Sequence, residues 1–173
     1  MFDDFKYLFA YTVPLATFFS IFSDGILTFI TPIYTFIFIP TLEAILKERE
    51  TKTIYSEKQI QNKLTNKIFD YLLYGNIPMV FILLISGIYI LSNNSLMTYE
   101  AIGISLSIGI LLATNAINVA HELGHRKSIL DRTLSKILLI PCLYMHFYLE
   151  HNFGHHKNVA TPEDPATSRY NQT

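Results

Sequence analysis

The sequence predicts an all-α integral membrane protein: four transmembrane helices and a cytoplasmic helical extension that carries two histidine clusters. Three observations predict it. Half of the 173 residues are hydrophobic, 16% are charged and the mean hydropathy is +0.30, more apolar than a soluble domain of this length. Four long runs are nearly free of charge, and all thirteen Lys and Arg fall to one side of a chain that crosses a bilayer four times.

The first span is Phe5–Phe22, and Asp24-Gly25 separates it from the second, Ile26–Leu46, so this pair reads as a tight helical hairpin. Ile68–Leu91 is the third span and Tyr99–Ala120 the fourth. The first falls just short of the ~20 residues that cover a hydrocarbon core of roughly 30 Å, and the other three reach it. Pro14, Pro32 and Pro78 sit inside spans, where they kink a helix without having to end it. Asp3 and Asp4 replace the basic run of a secretory signal, and no small-residue cleavage site follows, so the first span is expected to be retained.

Orientation follows from charge. Lys6 lies at the very start of the first span; Lys47, Arg49, Lys52, Lys58, Lys63 and Lys67 lie between the second and third; Arg126, Lys127, Arg132, Lys136, Lys157 and Arg169 follow the fourth. The connections Ser23–Gly25 and Ser92–Thr98 contain neither Lys nor Arg. This is the positive-inside pattern, which puts both termini and both histidine clusters on the cytoplasmic side. Four buried helices of a soluble bundle would not sort their cations by side. The net charge of -1 argues against a nucleic-acid partner. Cys142, the only cysteine, excludes an internal disulfide and a thiolate metal site, and reads as a small apolar residue.

Five of the six histidines lie in two clusters, His121-Glu122-Leu123-Gly124-His125 and Glu150-His151-Asn152-Phe153-Gly154-His155-His156. Neutral imidazole is the commonest protein metal ligand. On the fourth span Thr114, Asn118, His121 and His125 form one helical stripe, with Asn115 and Glu122 beside it, and polar groups in a membrane helix face the bundle interior or a cavity. His121 and His125 can grip one metal, although an i, i+4 pair serves packing or capping equally well. If 149–156 is α-helical, His151 and His155 share a face and His156 is turned about 100° away, which suits two metals better than one. Glu122 and Glu150 are candidates to accept a ring N–H and fix a histidine tautomer, with solvation of a helix end as the plainer reading. His146 is a further candidate ligand or a hydrogen-bonding neighbour.

His121 to His125 also spells H-E-x-x-H, the zinc-protease pattern in which the Glu activates water. One zinc needs only three protein ligands, so a protease would leave most of the second cluster without a role. A third class, a non-catalytic membrane metal-binding or transport protein, would use Asp70 with His121 as an ion path.

The string Asn115-Ala116-Ile117-Asn118-Val119-Ala120 before the first cluster, the run His146 to His156, and Ala160-Thr161-Pro162-Glu163-Asp164-Pro165-Ala166 together resemble the integral-membrane alkane 1-monooxygenases (alkane omega-hydroxylases) of the wider membrane desaturase and hydroxylase superfamily. The second cluster is spaced HxxxHH and followed by TPEDPA, whereas desaturases usually carry HxxHH. The resemblance implies two non-haem iron ions, dioxygen as oxidant, rubredoxin with its reductase as electron donor, and terminal hydroxylation of a medium- or long-chain n-alkane. It implies His121 and His125 as the first box of iron ligands and His151, His155 and His156 as the second. A related desaturase or hydroxylase of another lipid-like substrate is a further alternative beside the zinc protease. Thr161–Ala166 carries no ligand role by this reading, and its prolines shape a loop.

Members of that family have a third histidine box, a further histidine motif and two more spans, so the chain, with its histidine-box region 121–173, reads as the N-terminal part of a single di-iron hydroxylase domain. Five histidines do not saturate two irons that also need open positions for dioxygen. On that reading the segment alone is inactive. Ala101, Gly103, Ser105, Ser107 and Gly109 on the fourth span suggest a groove for an alkyl chain or, equally, close helix packing.

Overall fold

The computed structural model of the chain describes residues 2–46, 56–57, 61, 66–164 and 166–167. Lys47, Arg49, Lys52, Lys58, Lys63, Pro165 and Arg169, on which parts of the charge and loop readings rest, lie outside the described residues. Among the described residues the regular structure is helical, with no strand. Three helices among the described residues are long and apolar enough to cross a membrane: α2 (Gly25–Leu46), α3 (Ile68–Asn93) and α4 (Thr98–Gly124). The first predicted span is a shorter apolar helix, α1 (Tyr7–Ile21), which is α-helical from Thr12 and continues a 3-10 stretch that runs Phe2–Tyr11. Pro78 lies within α3 without ending it.

The chain divides into two compact units, Met1–Leu111 and Leu112–Thr173. Large apolar side chains such as Phe9, Leu15, Phe36, Ile45, Ile82 and Ile85 are exposed in the first unit. That is the outward face expected of helices whose solvent is lipid rather than water.

With lipid as apolar as Leu, these helices associate through close approach and shared polar groups. Gly25 turns α1 into α2 with φ +63, a conformation a residue with Cβ adopts only under strain. Glu100 fixes that turn by accepting from the Gly25 N–H at 2.6 Å and, with its other oxygen, from Met97 N–H at 2.8 Å at the head of α4. Thr31 donates its N–H to Ser20 Oγ at 2.9 Å, so a buried hydroxyl joins α1 to α2. Three of the small residues of α4 divide into two kinds. A Cβ on Gly103 would collide with Thr28 and Phe29, and buried Ser107 donates to the Thr28 carbonyl at 3.1 Å. These two are packing residues, not a groove. Gly109 has open space where its Cβ would stand.

The second unit holds the end of α4, then α5 (Ile129–Leu139) and α6 (146–158). Ser128 caps α5 by accepting from Asp131 N–H at 3.5 Å, the sequence-local device that satisfies a helix's orphan donors. Ser135 donates to the Ala120 carbonyl at 2.6 Å, tying α5 to the end of α4. Gly124 makes that approach close. A Cβ there would stand 3.2 Å from Ser135 Oγ and 3.5 Å from Tyr148, so α4, α5 and α6 meet at a residue without a side chain.

Candidate metal centre

Two departures from α geometry shape the site. Leu112–Ile117 in α4 and Glu150–His155 in α6 are π-helical. A π turn bonds i to i+5, which brings residues five apart over one another. In α6 this puts His156, not His155, on the side of His151, and corrects the α-helical expectation that His151 and His155 share a face with His156 turned away. The π turn in α4 likewise breaks the expected stripe: Asn115 is buried while Asn118 is exposed.

The result is a chain of imidazole nitrogens. His121 Nε2 lies 3.1 Å from His125 Nε2, which lies 3.2 Å from His151 Nε2, which lies 3.0 Å from His156 Nε2. The four groups offer ligand atoms all within 4.8 Å of one another. Phe147 supports the cluster from beneath, its ring stacked on His151 with centroids 4.8 Å apart.

Hydrogen bonding does not explain this arrangement. A neutral imidazole Nε2 presents either one proton or one lone pair, yet the Nε2 atoms of His125 and His151 each face two others. A shared cation does explain it, because ligands on adjacent positions around a metal with bonds of about 2.1 Å are themselves about 3 Å apart. Burial, and then the neighbouring His121, His156, His125 and His155, push the His151 imidazole down to about 4. It is thus neutral at physiological pH, the form that binds metal.

The remaining candidates fall outside this group of four. His155 flanks it, stacked on His151 with ring centroids 5.5 Å apart, and its Nδ1 lies 3.0 Å from both carboxylate oxygens of Asp164. Asp164 is 6% exposed. The Thr167 hydroxyl, together with the Ala166 N–H and His155, holds its carboxyl down at about 2 against the opposing effect of burial. Asp164 is the partner of His155 that the sequence reading missed. Its only signal was an acid nine positions after a histidine, within a Pro-flanked loop. Glu122 faces Arg126 at 3.8 Å and is 58% exposed, Glu150 is exposed, and exposed His146 stands edge-on to Tyr144. His125 and His156 are exposed and His121 and His151 half-buried, so the donors present an open face.

Residues 98–173, which contain every candidate ligand, match the sequence model of the fatty acid desaturase family. The chain is 37% identical over 131 residues to an alkane 1-monooxygenase of Pseudomonas putida, a match covering 76% of this chain and 32% of the relative. It is 36% identical over 143 residues to an alkane 1-monooxygenase of Acinetobacter baylyi, covering 82% and 34% respectively. A third relative, alkane 1-monooxygenase 1 of Alcanivorax borkumensis, is 34% identical over 135 residues, covering 78% and 33%. The chain spans about a third of the length of these relatives.

Proposed function

We propose, from the premise that the chain belongs over the part it spans to the alkane 1-monooxygenase family, that it contributes the first two histidine boxes of a membrane di-iron centre that hydroxylates the terminal carbon of n-alkanes. The observation that carries this reading is the convergence of His121, His125, His151 and His156 from two helices onto one point. His155, the fifth ligand in this reading, holds iron beside them, and a pair of irons draws on ligands beyond these five. Bound iron would supply dioxygen activation. One oxygen atom is inserted into the C–H bond and the other leaves as water, with two electrons delivered by rubredoxin from its reductase and two protons from solvent.

The role of this chain's residues is to hold and orient. Neutral imidazoles bind without adding negative charge, and α4 carries the first pair at the end of an apolar helix, beside the phase from which a hydrocarbon arrives. Four spans, with α1 as the first, place both boxes and both termini on the cytoplasmic face of a bacterial inner membrane, where soluble rubredoxin has access.

The test is to express the complete gene product with rubredoxin, its reductase and iron in a host that does not oxidise alkanes, feed octane and assay 1-octanol. Product together with about two irons per protein supports the reading. One zinc with peptidase activity would establish the zinc-protease alternative, and loosely held metal without turnover the transport one.

A further inference from the structure

We infer that Asp164 is a positioning residue for the metal centre: its buried carboxylate accepts the Nδ1–H of His155 and so commits Nε2 of that ring to metal. The inference rests on the proposed metal reading and names a residue outside both histidine boxes.

The geometry has three parts. Both Asp164 oxygens lie 3.0 Å from His155 Nδ1, and a carboxylate is an acceptor only, so the proton on that pair belongs to the ring. With Nδ1 protonated, the lone pair of a neutral His155 is on Nε2. The carboxylate is itself fixed: Ala166 N–H donates to Oδ1 at 2.9 Å and the Thr167 hydroxyl donates to Oδ2. The loop that follows α6 therefore closes back on the last turn of that helix, and Asp164, at 6% exposure, is the buried residue through which it does so. A carboxylate that orients a ligating histidine is a recurrent device, and its loss typically costs about 10 to 100-fold in metal affinity or activity. The sequence offered Glu122 and Glu150 for this task, and both are exposed here.

A capping role for Asp164 in its own loop would also make it important, so the experiment separates the two. Cobalt(II) affinity and the cobalt absorption spectrum are measured on the detergent-solubilised complete protein for wild type, Asp164→Asn, His155→Ala and the double variant. Positioning through His155 predicts that Asp164→Asn weakens cobalt binding about 10 to 100-fold and alters the spectrum. In the His155→Ala background the same change then has no further effect, because the two substitutions remove one interaction. Additive losses overturn the proposal and assign Asp164 to the loop alone. A wild-type protein that binds no cobalt overturns the metal reading, and the proposal with it. A second arm needs no Asp164 variant: nitrogen-15 histidine spectra of the metal-free protein, assigned by the resonance missing in His155→Ala, should show His155 protonated at Nδ1. Protonation at Nε2 overturns the proposal even if Asp164→Asn fails to fold.

Discussion

His156 Nε2 lies 3.0 Å from His151 Nε2 across five residues of chain, joined by a π turn rather than an α turn. The spacing HxxxHH and the turn are one fact seen twice. An i→i+5 bond places the fifth residue over the first, and the residue between, His155, is thereby released to face Asp164.

The first prediction follows from the position of His151, whose Nε2 touches two other imidazoles. His151→Ala should reduce iron in the purified complete protein to background, since removing a nitrogen that the open site replaces only with water removes the anchor between α4 and α6. Phe153→Ala, on the same turn but 65% exposed, should leave iron content unchanged. Elemental analysis of the two variants decides it. Equal iron in both would remove His151 from the ligand set.

How much of this was legible in the sequence divides along physical lines. Apolar runs are long-range, redundant signals, so α2, α3 and α4 match the predicted spans to within a few residues. The two boxes were legible because histidine is rare and its chemistry specific. Helical phase was not, since periodicity arguments assume 3.6 residues per turn and nothing at Glu150–His155 announces a π turn except the extra residue in HxxxHH. Asp164 was hidden for a related reason: its partnership with His155 is made by a loop closing back, and pattern reading has no period for a loop. Gly103 and Ser107 left groove and packing open, and only the position of Thr28 decides between them.

A second prediction concerns Gly124. A methyl group there meets Ser135 Oγ at 3.2 Å while that oxygen is held to the Ala120 carbonyl, so Gly124→Ala should destabilise the protein by about 1–3 kcal/mol, the usual range for overpacking. Gly109→Ala has open space and should be neutral or stabilising by up to about 1 kcal/mol, the helix-propensity gain. Thermal unfolding in detergent reads both. A Gly124→Ala variant as stable as wild type would show that α4 and α5 have room to separate.

The third prediction tests the H-E-x-x-H pattern. A general base must reach the metal-bound water, yet Glu122 is 58% exposed and 3.8 Å from Arg126. Glu122→Gln should therefore leave metal content and octane hydroxylation close to those of wild type. Wild type should cleave no peptide. A peptidase activity lost on Glu122→Gln with metal intact would replace the hydroxylase reading.

The last prediction concerns the side of the membrane. Lys67 precedes α3, Ser95 lies between α3 and α4, and Lys157 ends α6; all three are exposed. The cations of the sequence sort to the Lys67 and Lys157 side of a four-span chain, while the Ser92–Thr98 connection has none. Positive charge is retained on the cytoplasmic face, so Lys67→Cys and Lys157→Cys should react with a membrane-impermeant maleimide only in inverted vesicles, and Ser95→Cys only in whole cells. A Cys142→Ala background removes the one thiol of these 173 residues. The arrangement depends on α1 crossing as well as α2: were α1 to lie along the surface, the N-terminus would be on the opposite side from Lys67. A cysteine introduced at Asp4 tests that directly, and its labelling from outside, with Lys67→Cys still inside, would reduce the spans from four to three.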